Sequence, residues 1–265
     1  MAGHLRRVAA GDRSHVALPV FPLRNFTARD LYVRKDGPVR TPADLPRKRV
    51  GMYDWVASGS IWYRHFLNFI EVPPASLEWW IGDIDAPRAP THVYDLPPGV
   101  HRAPPGRSLS DMLIAGDLDA LLSPPRPRAY HPTDGPIVRL FSDIRTIERG
   151  YFRRTSCFPP QHLVILRRAV WEREKWLAHS LTDAFIRANA EFAASQRQFP
   201  YAAPWLDIEL EETEALMGAD FYPDGFEKNR ETIDVFCRQA FELGIINRKI
   251  VAEEYFAEYL ASASG

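Results

Sequence analysis

Between Lys48 and Asn68 the chain passes from an apolar strand through a Ser/Gly turn into an amphipathic helix, and it repeats that alternation as far as Leu122. Val50 and Met52 begin the strand, Ala57-Ser58-Gly59-Ser60 makes the turn, and Ile61, Trp62, Phe66, Leu67 and Phe69 supply the apolar side of the helix. Leu77–Trp80 reads as the next strand. Ser108–Gly116 reads as a brief helix with Gly116 as its C-cap, and Leu118–Leu122 as a buried strand. Strand and helix in alternation predict a parallel sheet with helices on its faces, whose ligands sit beyond the carboxyl ends of the strands. Ser58–Ser60 and Ser123–Arg126 both fall at such ends. Serine is a favoured N-cap, and the first amides of a helix have no internal acceptor, so the turn reads as a cradle for an anion. Gly59 lets the backbone approach a ligand, and Arg64 and His65 stand one turn further on. An ordinary capped helix would have the same sequence.

The flanks extend this α/β pattern. Val16–Phe21 and Leu31–Val33 read as strands on either side of a connection that carries Arg24, a candidate to face a ligand. Thr41–Leu45 is a capped helical turn, and a Pro-rich, irregular run leads from Gly82 to Arg107. Ile137–Phe141 is a further strand, followed by a charged stretch from Asp143 to Arg153. Gln161–Leu166 is an apolar strand entered through His162, and a histidine at such a place is more often a structural residue than a catalyst. Leu177, Leu181, Ala184, Phe185, Ala188 and Phe192 lie at helical spacing, and helices over Ile208–Met217, Asn229–Leu243 and Ile250–Leu260 complete the chain.

With 33 Lys and Arg against 34 Asp and Glu, a net charge of −1 gives no basic field for nucleic acid or an anionic membrane. Cys157 and Cys237 read as reduced, buried side chains, which fits a cytoplasmic protein, and no window resembles a membrane span or secretory signal. No GxGxxG, Walker loop, GxSxG or HExxH motif occurs, and the 8 histidines are dispersed, so neither a cofactor nor a metal site is expected. Arg24, Arg64, Arg126 and Arg139 lie near strand ends, and Trp55, Trp62, Tyr63, Tyr130 and Tyr151 are available to wall a flat molecule. The partner expected from these residues is a small anionic or aromatic ligand. An oligomer is left open.

Several segments resemble the 4,5-dihydroxyphthalate decarboxylase-like family: Pro19-Val-Phe-Pro22 with Arg24 and Phe26, Pro42–Gly51, Ile61-Trp-Tyr-Arg64, and Arg139–Asp143 with Glu148 and Tyr151. Arg154-Thr155, Phe158–His162, Pro204-Trp205, Met217–Asp220 and Asn229-Arg230 continue the likeness in the same order. The resemblance implies a two-lobed α/β fold of the type II periplasmic-binding-protein kind. One lobe would be discontinuous, residues 1–36 with 135–265, and the other inserted, residues 37–134, with crossings near Arg34 and Pro136. Family members carry a longer segment before the first strand, so the N-terminal part of the discontinuous lobe is expected to be missing. They also read Phe-Arg-His-Ser where this chain has Phe26-Thr-Ala-Arg29.

By that resemblance the expected activity is cofactor-independent decarboxylation of a hydroxylated aromatic dicarboxylate. Ser58, Gly59, Ser60, Arg64 and Arg126 would hold carboxylates, Arg24 would add an anchor from the other lobe, and Thr155 would join the binding set. His162 would be the acid, oriented by Glu148 and Tyr151. The alternative is a transporter's solute-binding protein for a small anionic or aromatic ligand, since the fold serves both. A truncated paralogue that binds without turnover is a third reading.

Overall fold

The computed structural model describes residues 1–86, 94–198 and 203–262. The chain forms two compact units, Met1–Asn25 with Ser156–Gly265, and Phe26–Thr155. In chain order the elements are α1 (Ala2–Ala9), β1 (His15–Leu18), β2 (Leu31–Arg34), β3 (Arg49–Met52), α2 (Ser58–Phe69), β4 (Glu78–Ile81) and β5 (Val100–Arg102). Then come α3 (Leu109–Ala115), β6 (Ala120–Leu122), β7 (Ile137–Arg139), α4 (Ile144–Thr155) and β8 (Val164–Arg167). Helices α5 (Arg168–Arg173), α6 (Leu177–Gln198), α7 (Leu206–Met217), α8 (Phe226–Glu242), α9 (Ala252–Tyr255) and α10 (Ala257–Ala261) follow.

The unit Phe26–Thr155 is built on one mixed sheet in the order β5-β4-β3-β6-β2-β7. β3 runs parallel to β4 and β6, and β4 parallel to β5, while β2 is antiparallel to both β6 and β7. Met52 stands opposite Ile81 and Leu122, and Leu31 stands opposite Leu122. The carboxyl ends of β3, β4 and β6 therefore share an edge with the start of β2. Side chains alternate across the strands. Leu31, Val33, Val50, Met52, Trp79 and Leu122 pack on one face with Tyr63 and Leu67 of α2. Tyr32 and Leu121 pack on the other with Leu109, Leu113 and Leu118. Gly51 is needed for that second layer, because a Cβ there would lie 2.8 Å from Leu118 Cδ1. α3 begins at Ser108, whose Oγ accepts from the Asp111 amide at 3.1 Å, and ends on Gly116 in the left-handed region.

Three features differ from the sequence reading. β5 lies inside the Pro-rich run expected to be irregular, and residues 87–93 of that run fall outside the described residues. The charged stretch after Asp143 is a helix, α4, whose first turn is capped where Asp143 Oδ1 accepts from the Thr146 amide at 3.0 Å. The crossings expected near Arg34 and Pro136 fall within the sheet, since Val33 pairs with Val138 and Arg34 with Ile137.

In the other unit, β1 and β8 form a two-stranded antiparallel sheet, with His15 opposite Arg167 and Leu18 opposite Val164. The strands are shorter than the apolar runs that predicted them, because Pro19 has no amide to continue the ladder. Leu5 and Val8 of α1, Phe21, Ile233, Phe236 and Cys237 of α8, and Tyr255 and Phe256 are buried. Cys157 and Cys237 are both buried, and neither forms a disulfide among the described residues. Among the described residues no helix is long and apolar enough to cross a membrane.

Candidate functional site

The strand-end edge of the Phe26–Thr155 sheet gathers the polar residues that the sequence placed there. The N-cap of α2 is Ala57, in extended conformation and with no side-chain cap, rather than a serine. Ser58, Gly59 and Ser60 form the first helical turn, where amides have no acceptor within the helix. Ser60 is fully buried, and its Oγ donates back to the Asp54 carbonyl. Arg64 is fully buried one turn on. Its Nε donates to the Ser60 carbonyl at 2.9 Å, its Nη2 donates to the Trp55 carbonyl, and the guanidinium lies 4.0 Å from the Trp55 ring centroid. Its Nη1 is buried with no hydrogen-bond partner among the described residues. Burial lowers the Arg64 pKa to about 9, so the site holds a desolvated cation that an anion would stabilise.

Ser123, just past β6, reaches the same edge, its amide donating to the Asp30 carbonyl at 3.0 Å. Arg126 is exposed nearby, its guanidinium 5.6 Å from the Tyr130 ring centroid. The adjacency of β3 and β6 thus sets Ser58–Ser60 and Ser123–Arg126 on neighbouring strand ends.

Asp30, which the sequence reading did not single out, lies at the start of β2 and is 5% exposed. The Tyr63 hydroxyl of α2 donates to its Oδ2 at 3.0 Å, and Arg29 Nε lies 3.8 Å from its Oδ1. Burial drives its pKa up to about 7, against the opposing pull of Tyr63 and Arg29. Glu148 of α4 accepts from the Arg29 amide at 3.3 Å, and its own pKa is raised, chiefly by burial. Tyr53, past the end of β3, is raised to about 12 by burial, with a hydrogen bond to Ser60 opposing the shift. The acid cluster and the α2 turn are therefore joined through Tyr53 and Tyr63.

Other expected site residues have structural engagements. The Tyr151 hydroxyl is 2.7 Å from His65 Nδ1, and its ring packs edge-on to Phe26 and Phe69. Thr155 Oγ1 donates to the Tyr151 carbonyl at 2.8 Å. Arg24, expected as a ligand anchor, belongs to the other unit and has structural partners there. Nη1 donates to the Phe158 carbonyl at 2.9 Å, and Nη2 to the Pro223 carbonyl at 2.7 Å and to Asn229 Oδ1. Both terminal nitrogens are thus spent inside that unit. His162, also in that unit, is exposed two residues before β8. Among the described residues, no three His, Cys, Asp or Glu side chains come together as a metal-holding group.

No family model matches the chain. The 4,5-dihydroxyphthalate decarboxylase of Comamonas testosteroni is 30% identical over 259 residues, covering 94% of this chain and 78% of that protein. The chain belongs to the 4,5-dihydroxyphthalate decarboxylase family. The enzyme of that name from Pseudomonas putida is 31% identical over 154 residues, 57% of this chain and 60% of that one. Among solved structures, the periplasmic aliphatic sulphonate binding protein SsuA of Escherichia coli matches with a TM-score of 0.52 at 13% identity, over 97% of this chain and 79% of that one. The alkanesulfonate-binding protein SsuA of Xanthomonas axonopodis pv. citri, bound to MOPS, matches with a TM-score of 0.50 at 11% identity, over 96% of this chain and 77% of that one. The family fold is therefore the α/β type II periplasmic-binding-protein fold expected from the sequence.

Within this decarboxylase family member the serine turn and Arg64 were legible as strand–turn–helix chemistry. Asp30 was not. Nothing in the local sequence marks it, and only the contact with Tyr63, 33 residues away, reveals a buried acid.

Proposed function

We propose that the chain is a decarboxylase of a hydroxylated aromatic dicarboxylate of the 4,5-dihydroxyphthalate kind, working from the strand-end edge of the Phe26–Thr155 sheet. The observation that carries this reading is Arg64, a buried guanidinium with one nitrogen unpaired among the described residues, beneath a helix N-terminus, in a chain of this family. A carboxylate bound to the amides of the first α2 turn would meet the helix dipole and a desolvated cation together. Arg126 would take the second carboxylate. The reaction needs an anion grip and a proton. Protonation of the ring carbon bearing the carboxylate is favoured by a ring hydroxyl para to it, and loss of CO2 restores aromaticity. A cytoplasmic location is part of the proposal, supported by two buried cysteines that form no disulfide among the described residues. The solute-binding alternative has only the shared fold in its favour, and fold alone does not assign function.

The test is to incubate the purified protein with 4,5-dihydroxyphthalate and measure CO2 and 3,4-dihydroxybenzoate. Equal amounts of the two support the proposal; stoichiometric binding with neither product would replace it with a binding protein. Arg64→Met is expected to raise KM by about 10- to 150-fold, the equivalent of losing a charge-assisted hydrogen bond of about 1.5–3 kcal/mol. Substrate should also raise the melting temperature of the wild type and lose most of that effect in Arg64→Met, with circular dichroism checking that the variant folds.

A further inference from the structure

We infer that Asp30 is the acid of this reaction, delivering its proton from Oδ1 to the ring carbon that loses its carboxylate. The inference rests on the decarboxylase reading above and adds the one group that reading leaves unassigned.

Asp30 is a buried carboxyl whose neighbours are fixed by the surrounding elements. Asp30 lies on the strand-end edge where Ser123 donates to its carbonyl and where α2 begins. The Tyr63 hydroxyl occupies Oδ2 as a donor, so a neutral Asp30 carries its proton on Oδ1. Arg29 Nε, 3.8 Å from that same oxygen, is positioned to receive the carboxylate that transfer leaves behind. Glu148 fixes the short turn that presents Asp30 by accepting the amides of Ala28 and Arg29. The charged and titratable groups around Asp30 are Tyr63 of α2, Tyr53 after β3, Tyr32 of β2, Arg139 of β7, Glu148 of α4 and the neighbouring Arg29. Burial dominates them and keeps the acid form populated near neutrality.

The step balances without a further reactant. The Asp30 O–H bond breaks and a C–H bond forms at the carbon bearing the carboxylate. The bond from that carbon to the carboxylate then breaks, its electron pair returns to the ring, and CO2 departs. Water reprotonates Asp30.

The experiment compares wild type with Asp30→Asn, Asp30→Glu, Glu148→Gln and His162→Gln in CO2 release from 4,5-dihydroxyphthalate across pH 5–9, with substrate-induced thermal shift measured in parallel. In the wild type kcat is expected to fall above about pH 7, as Asp30 loses its proton. Asp30→Asn is expected to lower kcat by about 100-fold or more while retaining the thermal shift, and Asp30→Glu to recover part of the rate. Removing the like charge in Glu148→Gln is expected to move the alkaline limb to lower pH, a change that loss of packing would not produce. Wild-type kcat retained in Asp30→Asn would overturn the assignment, as would loss of turnover in His162→Gln but not in Asp30→Asn. A wild type that binds substrate without releasing CO2 would overturn the decarboxylase reading itself.

Discussion

Arg24→Met is expected to destabilise the protein by about 3–5 kcal/mol while leaving the KM of any surviving folded enzyme within a few-fold of wild type. Three acceptors converge on this guanidinium, the carbonyls of Phe158 and Pro223 and the side chain of Asn229. All lie in a buried pocket where Arg24 is 5% exposed and its cation sits 4.9 Å from the Phe21 ring centroid. Methionine fills much of the volume but donates nothing, so each abandoned acceptor costs roughly 1–3 kcal/mol of unmet desolvation. Burial has already lowered the arginine's pKa to about 10, which sets part of the loss against relief of a desolvated charge and keeps the net effect below the sum of three bonds. The Arg24 amide, which donates to the Tyr222 hydroxyl at 2.7 Å, survives the substitution and holds the local backbone. Urea unfolding followed by circular dichroism checks the first half of the expectation and steady-state kinetics the second. Unchanged stability with a KM raised tenfold would make Arg24 a ligand anchor after all.

That contrast marks where sequence patterning stops being informative. The sheet of the Phe26–Thr155 unit was legible because local rules dictate it: apolar runs at Val50, Leu77 and Leu118, serine before α3, glycine after it. The Thr41–Asp44 turn was legible for the same reason, with the Asp44 carboxylate accepting from the Thr41 amide at 2.8 Å. β5 and α4 were harder. Val100–Arg102 is a half-exposed edge strand among prolines, and α4 buries little beyond Tyr151 beneath a coat of arginines, so neither shows strong periodicity. The roles of arginines and acids were the least legible. Arg24 meets Phe158, Pro223 and Asn229 across 134, 199 and 205 residues of chain. Glu148 meets Arg29 across 119. No pattern read within a window of a dozen residues distinguishes a cation that grips a ligand from one that ties loops together. The position of Arg64 was easier to read: its partners Ser60 and Trp55 are four and nine residues away, and its place one turn into a helix was visible from spacing alone.

Asp30→Asn is expected to be more stable than the wild type at pH 8, by on the order of 3 kcal/mol, and close to it near pH 4. The unfolded chain titrates this carboxyl near its ordinary value of about 3.9, whereas in the folded protein burial pushes it up to about 7. Below about pH 4 both states hold the proton and the group contributes no difference. Between about 4 and 7 the folded state alone retains it, so stability falls as pH rises, and above about 7 the whole of the burial cost of the ionised form is present. A shift of roughly three pH units at about 1.4 kcal/mol each sets an upper limit of about 4 kcal/mol, a shift in which the attraction of Arg29 and Arg139 for the carboxylate is already included. Asparagine imitates the neutral acid, keeping an oxygen for the Tyr63 hydroxyl without the charge. At about 2–4 °C per kcal/mol for a chain of this size, the expected difference in melting temperature at pH 8 is about 6–12 °C, measurable by paired thermal melts at pH 4.5 and 8. A variant less stable than wild type at pH 8 would mean that the arginines hold Asp30 ionised, and the neutral acid at the strand ends would be lost with it. A gain in stability joined to a loss of turnover would instead identify a carboxyl retained against the interest of the fold, because the chemistry at that edge requires a proton near neutral pH.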